Sequence, residues 1–139
     1  MASFQKFNQF VEDLAKGVHN LSTGQLKVAL TNTAPVAANS VYADLTSPLA
    51  TTNLSGATPF NVTTTSCEQT SGTLTLVLVD LTLTATGAVG PFQYVVLYND
   101  TPSSPADPLI GFWDYGSAVN MANTETFLID FAATTISLS

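Results

Sequence analysis

Between Thr63 and Thr86 threonines alternate with Leu and Val around Gly72, a period-two pattern that only β-structure satisfies over such a length. Leu74, Leu76 and Leu78 share one parity, whereas Val77, Val79, Leu81 and Leu83 share the other. Either this stretch is buried on both faces, or a bulge near Leu78 to Asp80 exchanges them; the second reading is preferred. The same alternation marks Leu26, Val28 and Leu30 against Lys27, Ala29 and Thr31, and Phe127, Ile129 and Phe131 against Leu128, Asp130 and Ala132. Further strands are expected at Phe92 to Tyr98, Leu109 to Tyr115 and Ile136 to Leu138, with turns at Gly87 to Pro91 and Gly116 to Asn123. Most connections are too short for helical crossovers. The expectation is one all-β domain over residues 1–139, an antiparallel β-sandwich or jelly-roll-like fold.

One helix is expected, over residues 3–19, with Phe4, Phe7, Val11, Leu14 and Val18 on one face and Phe10 beside them. Ser3 is the expected N-cap, Glu12 and Asp13 fall on the polar side, and Gly17 or Asn20 offers the stop. This amphipathic helix either closes one face of the β domain or serves as an arm that docks in a neighbour. Residues 32–62 lose periodicity and carry Pro35, Pro48, Gly56 and Pro59, with one short strand expected near Val41 to Leu45. A loop-rich segment of that length more often bears interactions than mere connection.

Composition constrains the surface. Only 9% of residues are charged and Arg is absent, against roughly 25% charged residues in ordinary soluble domains. Hydroxyls and amides are far cheaper to desolvate than carboxylates or ammonium groups, so such an exterior suits burial against other protein copies. A net charge of −7, with Lys6, Lys16 and Lys27 the only cations, has the wrong sign for nucleic acid or an anionic membrane. The N-terminal stretch lacks the apolar core of a signal peptide, since Glu12 and Asp13 interrupt it.

Candidate chemistry is sparse. His19 is the only imidazole and reads as a helix-terminal residue, with no G-x-S-x-G nucleophile motif beside it. Cys67, the only cysteine, reads as a small buried hydrophobe. Asp100, Asp107 and Asp114 surround a proline-rich loop; they match no calcium loop and read as turn-capping carboxylates. Asp80 reads as an outward strand residue that discourages edge pairing. Phe112, Trp113 and Tyr115 read mainly as core, with a sugar-stacking platform as the alternative. These residues point to no enzyme, cofactor or metal.

Phe7 to Asp44 (FNQFVEDLAKGVHNLSTGQLKVALTNTAPVAANSVYAD) and Phe92 to Tyr115 (FQYVVLYNDTPSSPADPLIGFWDY) resemble small virion structural proteins of tailed bacteriophages. The resemblance is closest to capsid decoration, or cement, proteins. It implies a homo-oligomer, dimer or trimer, made in the host cytoplasm, that binds the outer capsid surface and bridges major capsid protein subunits. A tail or baseplate subunit, or a carbohydrate-binding adhesin module on the virion, are the alternatives. The residues expected to make partner contacts are Phe4, Phe7, Phe10, Pro35, Tyr42, Pro48 and Pro59.

Overall fold

The computed structural model describes residues 3–132 and 135–138. Ten strands and one α-helix follow in chain order: β1 (Gln5–Lys6), α1 (Asn8–Ala15), β2 (Leu26–Thr31), β3 (Asn61–Val62), β4 (Thr64–Thr70), β5 (Thr73–Leu78), β6 (Leu81–Thr84), β7 (Val89–Asn99), β8 (Leu109–Met121), β9 (Thr126–Ile129) and β10 (Ile136–Leu138). They form a five-stranded sheet in the order β1-β8-β7-β2-β3, a three-stranded sheet β10-β5-β4 and a two-stranded sheet β6-β9. Every described pairing is antiparallel. This is the expected all-β sandwich with one helix near its N-terminus.

The five-stranded sheet is buried on both faces, which the alternation along β2 and β7 makes possible. Leu26, Val28 and Leu30 of β2 and Val95 and Leu97 of β7 join the main core, where Leu76, Leu78, Leu83 and Ile129 of the two smaller sheets meet them. The intervening Ala29, Val96 and Tyr98 point the other way and pack with Phe7, Leu45 and Phe112. Apolar area removed from water stabilises at about 25 cal/mol per Å², so both faces contribute. The second face exists because residues 32–62 fold back across it.

Several local expectations are corrected. The helix is shorter than residues 3–19 because Gln5 and Lys6 are drawn into β1, opposite Phe112 and Gly111 of β8. Phe7, not Ser3, occupies the cap position, and it makes no side-chain cap bond. The chain leaves the helix at Lys16 and Gly17, where φ is +77°, a left-handed conformation that glycine adopts without strain. Val11 is 46% exposed while Asp13 is buried, the reverse of the expected faces. Val41 to Leu45 holds a single 3-10 turn, Tyr42–Asp44, in place of a strand; Asp44 Oδ2 accepts the backbone N–H groups of Ser40 and Val41 and tightens that turn.

At Leu78 to Asp80 the strand breaks outright and the chain passes from the three-stranded to the two-stranded sheet. Asp80 Oδ1 accepts the Phe131 N–H at 2.9 Å, so this carboxylate ties the crossing to the chain just beyond β9 instead of guarding an edge. The expected turns at Gly90-Pro91 and Gly116 lie inside long strands, β7 and β8, at register shifts that absorb them.

Candidate functional site

Residues 32–62 leave β2, cross the second face and return to pair through β3, where Lys27 faces Asn61. Leu49 N–H donates to the Leu30 carbonyl at 2.8 Å and Val28 N–H to the Phe60 carbonyl at 3.0 Å, fixing the path at both ends. Between this segment and the sheet lies an open cleft of about 360 Å³, lined by Lys27, Tyr42, Thr58, Pro59, Asn61 and Tyr98 among others. The Tyr42 and Tyr98 rings stand 5.0 Å apart and 50° from parallel. Lys27 Nζ pairs with Asp100 Oδ2 at 3.1 Å.

The electrostatics beside the cleft follow from burial and crowding of like groups. Burial pushes the Asp107 carboxyl above its ordinary value, and a hydrogen bond to Asp100 together with that neighbour's charge pushes further, against the pull of Lys27. Burial raises both phenols; Tyr42 and the two carboxylates add to the rise at Tyr98, and Asp107 adds to it at Tyr42. Both tyrosines therefore stay neutral hydroxyls over the physiological range. Asn61 Oδ1 is buried and has no hydrogen-bond donor among the described residues. The cleft presents phenols, an amide and one ion pair, a set suited to polar contact.

His19 lies away from this cleft and is buried. Asn99 Nδ2 and His19 Nδ1 lie 3.2 Å apart, within hydrogen-bond distance, and Nε2 is buried with no partner among the described residues. The Phe10 ring packs against it at 5.3 Å. Burial depresses the imidazole below its ordinary value, opposed by the charge of Asp13. The residue is a structural link between the end of α1 and β7. Among the described residues no group of three or more His, Cys, Asp or Glu side chains is placed to hold a metal ion.

Asp100 and Asp107 come together, whereas Asp114 stands apart: its Oδ1 accepts the Gly116 N–H at 2.7 Å and the Gln93 amide at 3.0 Å. The sugar-stacking platform does not form. Phe112 and Trp113 are buried, Trp113 between Phe4 at 5.2 Å and Phe131 at 5.6 Å, and only Tyr115 is exposed. Of the expected partner contacts, Phe7 and Phe10 are consumed by the chain's own two cores and are corrected to interior residues. Phe4 is half-buried against Trp113. Pro35, Tyr42, Pro48 and Pro59 are half-buried in the crossing segment, with Tyr42 and Pro59 in the cleft wall. Sequence reasoning missed Lys27 and Tyr98 as cleft residues. Their signal was parity, because both alternate with main-core positions and so must face the opposite side.

Much of the crossing segment outside the cleft is open: Asn32, Thr33, Val36, Ala37, Thr46, Thr52 and Ser55 are all exposed. Its single charged side chain is Asp44, whose carboxylate is already engaged by Ser40 and Val41. The result is a polar ledge with almost no ionic hydration. Compared with known protein families, with curated proteins and with solved structures, the chain matches none.

Proposed function

We propose that this chain is a capsid decoration, or cement, protein of a tailed bacteriophage, a self-associating subunit that binds the outer shell and bridges neighbouring major capsid protein subunits. The observation that carries the reading is the ledge of residues 32–62, broad, exposed and bearing one internally bonded charge. Covering it with another protein buries a single carboxylate, Asp44, whose Oδ2 Ser40 and Val41 already bond, and its hydroxyls and amides can exchange water for backbone partners. Leu45, Leu54 and Phe60 anchor it to the cores from beneath, so little ordering is needed on docking. Each contact of this kind is modest, and repetition over a shell multiplies it through avidity. The resemblance of Phe7 to Asp44 and Phe92 to Tyr115 to virion structural proteins supports the same reading. A glycan-binding adhesin is disfavoured, because Phe112 and Trp113, two of the three aromatic residues that would have formed its platform, are interior.

The test is the heat resistance of purified capsids with and without the chain. Decorated shells retain their DNA to a higher temperature. Equal resistance, or no binding to assembled shells, overturns the proposal.

A further inference from the structure

β4 (Thr64–Thr70) is an outer edge of the three-stranded sheet, with β5 as its one described neighbour. The β4–β5 turn, Ser71 and Gly72, has positive φ at both positions, +51° and +83°, as a two-residue I′ hairpin requires. That turn makes Thr70 and Thr73 a hydrogen-bonded pair, and the alternation continues through Glu68 opposite Thr75. The backbone N–H and C=O groups of Cys67 and Gln69 therefore point away from β5, outward along the edge. Natural edges are usually guarded by several charges, by proline or by a covering element. β4 carries no proline and one charge, Glu68, with a register shift between Thr64 and Ser66.

We propose that β4 pairs antiparallel with β4 of a second copy of this chain, across a two-fold axis at Cys67. The sequence selects both the occupant and the register. Cys67 is the midpoint of Thr64–Thr70, so a two-fold there opposes the most residues. It sets Glu68 against the partner's Ser66, and Ser66 against the partner's Glu68, giving each carboxylate a hydroxyl neighbour. A frame centred on Glu68 instead brings two carboxylates face to face, which is destabilising. At the centre the two Cys67 residues exchange both backbone hydrogen bonds, with Cα atoms about 5.5 Å apart. Their half-buried side chains, already packed on the core, lie side by side. An isologous contact of this kind closes as a dimer.

This inference deepens the self-association within the proposed function. Its test runs in solution with no shell present, so its failure and a failure of shell binding are separate results. Sedimentation velocity on the full chain should give a dimer that dissociates on dilution. Hydrogen exchange should show the Cys67 and Gln69 amides protected in the concentrated sample and freely exchanging in the dilute one. Gln69→Pro removes an outward N–H that β5 does not use, and Ser66→Glu opposes like charges across the axis. Both should give a monomer of unchanged far-ultraviolet circular dichroism. A wild-type monomer at every attainable concentration overturns the proposal, as does a dimer that survives both substitutions or leaves the β4 amides unprotected.

Discussion

Phe10→Ala separates a helix that belongs to the fold from one held ready for a partner. The Phe10 ring is fully buried and packs in the main core with Leu21, Leu26 and Ile110, and on the His19 imidazole. Removing it forfeits a transfer term of about 1.5–3 kcal/mol and leaves a cavity, and buried Phe→Ala changes lose about 3–5 kcal/mol in all. With an unfolding entropy of about 2.1 cal/mol/K per residue over 139 residues, that is a fall in Tm of about 10–17 °C. Val11→Ala, one residue along the same helix but 46% exposed, should change stability by about 0.5 kcal/mol or less. Chemical denaturation of the isolated chain, monitored by Trp113 fluorescence, measures both variants. A loss under about 1 kcal/mol for Phe10→Ala would mean that α1 is not docked in solution, and the account of the N-terminal segment would fail.

Gly111→Ala should destabilise by about 1–3 kcal/mol, since a Cβ there runs into the Phe4 ring and to within 2.7 Å of the Gln5 carbonyl oxygen. Trp113 then loses its Phe4 cover, and its emission should shift to the red in the native state. Because the folded His19 pKa lies below its ordinary 6.5, the unfolded chain binds a proton that the native chain refuses. The stability contribution of neutral His19 is complete above that value and is lost as the pH falls through the window below it. His19→Gln should flatten the dependence of unfolding free energy on pH just under 6.5; an unchanged slope refutes the assignment. Asp107 has the opposite sign. Its folded pKa is raised above 3.8, so its favourable contribution is present below that value and disappears as the pH rises through the folded one. Asp107→Asn should therefore raise the unfolding free energy at neutral pH, by no more than about 1 kcal/mol after solvent screening, with the gain vanishing in acid. Asn also tolerates the left-handed φ of +52° at this position.

What could be read in the sequence was whatever depends on local periodicity. The strand cores of β2, β5 and β7 and the break in parity near Asp80 all follow from which side chains alternate. The break was visible, yet its consequence was not, because a change of sheet and a bulge leave the same trace in the pattern. Helix length was overestimated for a related reason. Phe4 and Phe7 fit a 3.6-residue period, but Gln5 and Lys6 gain more from the backbone partners offered by β8 than from one further helical turn. The second face of the five-stranded sheet was hidden, since its cover comes from Tyr42 and Leu45 in a segment without periodicity. Asp100 and Asp107 could be grouped by their loop, whereas Lys27 and Tyr98 are brought to the same cleft only by the pairing of β2 with β7.

We propose that the nearly uncharged ledge of residues 32–62 is covered by a larger protein assembly, the capsid shell. Electron cryo-microscopy of the intact particle tests it most directly. The account predicts density for this chain on the outer face of the shell, repeated with the lattice, with residues 32–62 turned toward the major capsid protein. Density confined to the tail, or a shell-bound chain whose ledge faces solvent, would contradict it.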